Sequence, residues 1–183
     1  MKNIFLGGSR NITTLNDKIK DRIDNIIKNG FTVLIGDANG ADKAIQEYLY
    51  DKKYQKVVVF CMDDMCRNNI GKWKINTVHC DKKVRDFSYY SQKDKIMSEE
   101  ADYGLMLWDG KSKGTLNNIL NLLERNKVAL VYFSPEKIFL TIKNYDNLDL
   151  LIQKCDHESI QKFDRFLNLH QKMNNRQLHL KLA

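Results

Sequence analysis

Strands that alternate with helices predict an α/β protein, a parallel sheet with helices on both faces, followed by a mostly helical C-terminal appendage. Three observations predict it. Short apolar runs, each the length of a buried strand, recur at residues 2–6, 31–35, 56–61, 103–108 and 127–133. Between most of them apolar residues return at helical spacing. Three of the runs end in polar turns that carry glycine. The chain of 183 residues, 43% hydrophobic, is long enough for one such domain with a substantial core. We expect the sheet domain over 1–135 and the appendage over 136–183.

The first strand, residues 2–6, is followed by Gly7-Gly8-Ser9-Arg10. Two glycines after a strand allow a sharp turn and close approach of a ligand. Ser9 then adds a hydroxyl, and Arg10 a fork of donors suited to phosphate or carboxylate. A plain strand-to-helix connection fits the same residues. Leu15, Ile19, Ile23, Ile26 and Ile27 form one apolar helical face, which Thr13 or Thr14 starts and Asn29-Gly30 stops.

After the second strand comes Gly36-Asp37-Ala38-Asn39-Gly40-Ala41-Asp42, then a helix through Ala44, Ile45, Tyr48 and Leu49. Asp37, Asn39 and Asp42 offer acceptors for ribose hydroxyls or an amine. Asp42 equally suits the first turn of a helix, facing its dipole. The third strand, 56–61, leads into residues 62–87, the least legible part, where 75–79 is strand-like. A helix follows at 89–100 and carries Lys93, Asp94 and Lys95.

The fourth strand ends in Trp108-Asp109-Gly110-Lys111-Ser112-Lys113-Gly114-Thr115, and a helix begins near Thr115 with Leu116, Ile119, Leu120 and Leu123 on one face. Such a turn aims free backbone N–H groups and the positive end of a helix dipole at one spot. Lys111, Ser112, Lys113 and Thr115 add charge and hydroxyls, so an anion, above all a phosphate, fits there. A tight turn with solvated lysines is the bland alternative. Three such turns at the carboxyl ends of parallel strands make a site more convincingly than any one alone.

Beyond residue 133, the stretch 138–142 suits a strand, Asp146 suits a helix start, and Ile160, Phe163, Phe166 and Leu167 suit an amphipathic helix. Residues 177–182 alternate polar and apolar. This tail shows no chemistry of its own and is expected to pack on the body or on a second subunit. No apolar run approaches a membrane span, and the strand pattern that begins at Lys2 leaves no secretion signal ahead of it, so a cytoplasmic location is expected. Cys61, Cys66, Cys80 and Cys155 then read as reduced thiols. A zinc set from Cys61, Cys66, His79 and Cys80 has loose spacing, so no metal and no cofactor is expected. The formal net charge is +7, but the lysines are scattered among acids and not interleaved with aromatics. Nucleic acid is therefore disfavoured as a partner.

Taken in order, Gly-Gly-Ser-Arg at 7–10, Gly-Asp-Ala-Asn-Gly-Ala-Asp at 36–42 and Trp-Asp-Gly-Lys-Ser-Lys-Gly-Thr at 108–115 resemble the SLOG superfamily. This is the Rossmann-like group that holds the Lonely Guy phosphoribohydrolases and the DNA-processing protein A fold. The likeness is strongest to small stand-alone bacterial and phage members and covers about residues 3–133. It implies a nucleotide or nucleotide-derived ligand over the sheet edge, held by the glycine-bearing turns, and a homodimer. In Lonely Guy enzymes an arginine four residues before a methionine and a glutamate three after the Gly-Thr threonine serve N-glycosidic cleavage. Those positions here hold Lys93 and Asn118. Lysine keeps the charge and loses the bidentate fork. Asparagine supplies no carboxylate base. Asp94, Glu99 and Glu100 are the nearby carboxylates that can take its place. Binding, in a sensor or sequestering protein, is thus favoured over hydrolysis or transfer at a nucleotide N-glycosidic bond.

Overall fold

The computed structural model describes residues 2–63, 65–81 and 84–173. Its elements run β1 (Asn3–Gly8), α1 (Asp17–Lys28), β2 (Thr32–Gly36), α2 (Ala41–Asp51), β3 (Val57–Met62), β4 (Lys74–Val78), α3 (Phe87–Glu100), β5 (Tyr103–Trp108), α4 (Lys113–Leu123), β6 (Ala129–Phe133), β7 (Ile138–Ile142), α5 (Tyr145–Ile152) and α6 (His157–Leu167). One sheet orders them β4-β3-β2-β1-β5-β6-β7. All neighbours are parallel except β6 and β7, which pair antiparallel.

Alternation along each strand sorts the core into two layers. Ile4 and Leu6 of β1 face Ile19, Ile23 and Ile45 from α1 and α2. Phe5, between them, faces the other layer, with Met97, Leu116, Ile119 and Phe163 from α3, α4 and α6. Both faces are covered by helices, which is why the strands read as nearly continuous apolar runs. The chain builds outward from β1 to β4 on one side, then crosses to β5 on the other. That reversal opens a crevice at the carboxyl ends of β1 and β5, where ligands of open α/β sheets gather.

Several boundaries differ from the sequence expectation. β1 runs through Gly7 and Gly8, which pair with Met106 and Leu107, so the two glycines extend the strand and do not turn it. A Cβ on Gly8 would lie 2.4 Å from the Leu107 carbonyl oxygen and 2.8 Å from the Ala41 Cβ. The missing side chain thus serves strand and helix packing. α1 starts at Asn16, whose side chain accepts from the Ile19 amide, and not at Thr13 or Thr14. β7 adds a seventh strand to the sheet, and the buried Phe163 of α6 packs its ring 5.8 Å from that of Trp108. The stretch 177–182 lies outside the described residues.

The thiols also need correction. Cys61 and Cys66 are joined in a disulfide, and Cys80 and Cys155 are free. The chain leaves β3 and returns at once, which brings the two Cα atoms to 5.1 Å, within the span of a disulfide. The expectation of four reduced thiols used compartment alone and carried no information on this return. No helix among the described residues is long and apolar enough to cross a membrane.

Candidate functional site

The turn after β5 is built around Asp109. Its Oδ1 accepts from the amides of Lys111 at 3.0 Å and Ser112 at 2.8 Å, and from Ser9 Oγ at 2.9 Å. Its Oδ2 accepts from Asn11 Nδ2 at 3.0 Å. Burial alone would raise this carboxyl, but the four donors hold it below the usual range. Gly110, at φ +75°, takes the left-handed conformation that the turn requires. Ser112 caps α4: its Oγ takes the Thr115 amide and its carbonyl the Leu116 amide. The amides of Lys113 and Gly114 belong to the first turn and have no acceptor within the helix. A Cβ on Gly114 would meet nothing nearer than Ser112 Oγ at 3.9 Å, so this end of the helix is open.

Behind the turn lies a buried charge cluster. Asp37, 1% exposed, takes three bonds from Arg67: from its amide at 3.1 Å, Nε at 3.0 Å and Nη2 at 2.6 Å. Burial would raise Asp37, but Arg67 and Lys93 hold it below the usual carboxylate range. Asn39 accepts from Asn68 Nδ2 at 3.0 Å. These two residues of the second motif therefore anchor the loop after β3. Lys93, 4% exposed, sets its Nζ 3.0 Å from Asp94 Oδ1 and 3.8 Å from Asp37 Oδ1. Gly36 makes room for it, since a Cβ there would lie 2.7 Å from that Nζ. Burial disfavours the Lys93 ammonium, yet Asp94, Asp42 and Asp37 hold its pKa above the ordinary value. Burial pushes Asp42 up to about 6 against the pull of Lys93. Asn118, also buried, meets two acceptors, Asp94 Oδ2 at 3.3 Å and the Gly114 carbonyl at 3.2 Å, so its amide is assigned with the nitrogen toward them, and it joins the cluster to the turn.

These parts surround a cavity of about 700 Å³ at the carboxyl ends of β1 and β5. Gly8, Arg10, Asp42, Lys93, Asp109, Lys111, Ser112, Gly114, Thr115 and Asn118 line it. Of the other residues singled out from the sequence, Gly7, Ser9, Gly36, Asp37, Asn39, Gly40 and Gly110 stand behind the lining. Gly40, at φ +84°, packs against the Arg10 backbone, and Ser9 bonds across to Thr115 Oγ1 at 3.3 Å. Of the three candidate carboxylates on α3, Asp94 lines the cavity; Glu99 pairs with Arg125 at 2.6 Å, and Glu100 accepts from Asn76 at 3.5 Å.

Arg67, Arg85, Asp86, Phe87, Tyr90 and Lys162 also line the cavity, and sequence reasoning missed them as site residues. Phe87 and Tyr90 bring two aromatic rings to the lining, with the Arg67 guanidinium 4.9 Å from the Tyr90 ring centroid. Lys113 sits between the rings of Phe87, at 4.6 Å, and Phe166, at 3.4 Å. Burial, with Lys162 nearby, lowers its pKa. The tail read as chemically silent therefore brings a cation and an aromatic ring to the site. In all, Arg10, Arg67, Arg85, Lys93, Lys111, Lys113 and Lys162 face Asp42, Asp86, Asp94 and Asp109 around the cavity, a basic excess. Asp37, Cys61 and Cys66 place a donor atom each within 4.8 Å of one another. The sulfurs, however, are bonded together and Arg67 engages the carboxylate.

No family model and no curated protein matches this sequence. Among solved structures, DNA processing protein A from Helicobacter pylori matches with a TM-score of 0.57, over 97% of this chain and 81% of its own, at 16% identity. The chain has the fold of DNA processing protein A. The Rossmann-like domain of that protein belongs to the SLOG superfamily, which is the fold that the three motifs imply. At this identity the likeness carries the fold and no residue roles. The Helicobacter pylori structure is described for its single-stranded DNA binding mode. The expectation against nucleic acid accordingly loses its support.

Proposed function

We propose that the protein binds a nucleotide or nucleotide-derived ligand, as a sensor or sequestering protein, with a phosphate seated at the start of α4. The observation that carries this reading is the open helix end. Lys113 and Gly114, whose amides have no acceptor within the helix, line with Lys111 and Thr115 a cavity to which Phe87 and Tyr90 also bring their rings. A helix start attracts the phosphate, and an aromatic wall accepts the base by stacking. Ser9 and Asp109 hold the turn in shape, Arg10 adds charge at the mouth, and Lys93 and Asn118 floor the sugar position. In keeping with the family resemblance, the proposal includes a homodimer, which light scattering on the purified protein reads directly.

A second reading, hydrolysis or transfer at the N-glycosidic bond, draws on one observation. Asp94 brings a carboxylate next to Asn118, where the resemblance expects a glutamate. Calorimetry of the wild type and Gly114→Val with nucleoside mono- and diphosphates tests the first reading, and chromatography of the same mixtures tests the second. Binding by the wild type, a loss of at least tenfold in Gly114→Val, and no free base support a binder. Free base released by the wild type and lost in Asp94→Asn supports the enzyme. Unchanged affinity in Gly114→Val refutes the site, and binding of single-stranded DNA in place of any nucleotide refutes the ligand class.

A further inference from the structure

One buried carboxylate of the cavity is left short of partners. We propose, resting on the nucleotide-binding reading above, that the ligand is a ribonucleotide with both ribose hydroxyls free, one of which is held between Asp42 and Lys93. Both side chains line the cavity, and both are more than nine-tenths buried, Asp42 at 7% exposure and Lys93 at 4%. A charged group so buried normally fills its hydrogen-bonding capacity, so an unused position points to a partner. Asp42 Oδ2 accepts from the Ala38 amide at 3.3 Å, the one hydrogen bond of this carboxylate among the described residues. Its Oδ1 accepts none. Among the described residues no side-chain oxygen that is sealed from solvent lacks a partner. Oδ1 therefore meets solvent, and the cavity that Asp42 lines is where it does so. The other carboxylates of the lining are engaged: Asp86 caps α3, Asp94 meets Lys93 and Asn118, and Asp109 takes four donors.

Lys93 also has donors to spare. Its ammonium carries three N–H groups and gives one to Asp94 Oδ1 at 3.0 Å. Asp37 Oδ1, at 3.8 Å, lies beyond hydrogen-bonding distance. Among the described residues Lys93 forms no ion pair with Asp42. Yet a Cβ on Gly36 would lie 2.7 Å from Lys93 Nζ and 2.5 Å from Asp42 Oδ2, so the two charged ends flank one point. A group that bridges them must donate to the carboxylate and accept from the ammonium. A hydroxyl does both, a phosphoryl oxygen only accepts, and an ammonium only donates. Burial pushes Asp42 up to about 6, with Lys93 pulling it down and Asp94 and Asp37 pushing with the burial, so at pH 8 it is an ionised acceptor. The position is also connected to the phosphate end of the site. The Gly114 carbonyl meets Asn118 at 3.2 Å, Asn118 meets Asp94 at 3.3 Å, and Asp94 meets Lys93, which links the start of α4 to the hydroxyl position. A phosphate and a sugar hydroxyl of one ligand thus have connected places, and a ribonucleotide supplies both.

The test is calorimetry of the full chain at pH 8 with AMP, GMP, CMP and UMP, each beside its 2′-deoxy and 3′-deoxy counterparts, and with a thymidine oligonucleotide as a further arm. For at least one base we expect the loss of a hydroxyl to weaken binding about tenfold or more, as a hydrogen bond to a charged group implies. In Asp42→Ala, with a cooperative melt as the check on folding, the parent and deoxy forms should bind within about threefold of one another. Asp42→Asn keeps the shape and removes the charge. It should cut the wild-type preference by about threefold or more, and it decides the matter if Asp42→Ala does not fold. A merely structural Asp42 would instead weaken all three sugars alike. Equal affinity for the three sugars at every base in the wild type, or a preference unchanged in the folded variants, overturns the hydroxyl proposal and leaves the nucleotide-binding reading standing. Binding of the oligonucleotide alone, or of nothing in the panel, overturns both.

Discussion

Replacing Asn118 by aspartate puts a second carboxylate against Asp94. The Asn118 amide nitrogen, as assigned, lies 3.3 Å from Asp94 Oδ2 and 3.2 Å from the Gly114 carbonyl, so the new oxygen faces two acceptors where a donor stood. Two unit charges about 3.3 Å apart repel by roughly 5 kcal/mol at an effective dielectric near 20. Lys93, 3.0 Å from the other Asp94 oxygen, offsets part of this, and the side chains can turn apart. We therefore expect a net loss of about 2 kcal/mol at pH 8. For a chain of this length that lowers Tm by about 4–8 °C. The pair escapes by keeping a proton, so its folded pKa is raised above the unfolded carboxyl value of about 3.9. The penalty is then absent below about pH 4, grows as the pH rises through the raised folded pKa, and is full above it. Thermal melts of wild type and variant from pH 4 to 8 read this directly. A variant that melts with the wild type at pH 8, or a deficit that is the same at pH 4 and pH 8, refutes the Asn118–Asp94 contact.

Other substitutions test the parts around it. Arg67→Ala strands the buried Asp37 and should cost about 3–5 kcal/mol in urea unfolding, with Arg67→Lys recovering charge but not the bidentate pair; a loss under about 1 kcal/mol argues against the anchor. Asp42 has a folded pKa of about 6, above its unfolded value, so its ionisation opposes folding and the wild type loses stability from this group as the pH rises from about 4 to 6. Asp42→Asn should flatten the Tm profile over that window, and an unchanged profile contradicts the assignment. Phe163→Ala removes a ring packed on Trp108 and should cost about 3–5 kcal/mol by the same unfolding measurement, which identifies α6 as core and not as an ornament.

Much of the frame was legible in the sequence. Short apolar runs, three of them ending in glycine turns, located five of the strands, and the alternation implied their parallel pairing. The longest of the three motifs marked the start of α4 and led to Asn118. Lys93, chosen by resemblance, does reach the sheet edge from α3. Other features depend on contacts that periodicity does not encode. Gly7-Gly8 has turn composition, but Met106 and Leu107 of a distant strand hold it extended. β7 is antiparallel because a short turn joins it to β6, which leaves no room for a crossover. Arg67 comes from a loop without pattern, and its role is set by Asp37 thirty residues earlier. Phe87 and Tyr90 look like ordinary helix residues until α3 docks beside the cavity. Lys162 lies on a solvated helical face in a tail without motifs. The Cys61–Cys66 bond depends on how the chain returns after β3, and neither spacing nor compartment reveals that.

The central claim is that a phosphate sits on the open end of α4. A crystal structure of the protein with the tightest-binding nucleotide of the panel tests it most directly. We predict a phosphoryl group within hydrogen-bonding distance, about 3 Å, of the Lys113 or Gly114 amide, with the base against Tyr90 or Phe87. A nucleotide bound elsewhere, or one in this cavity whose phosphates point away from α4, contradicts it.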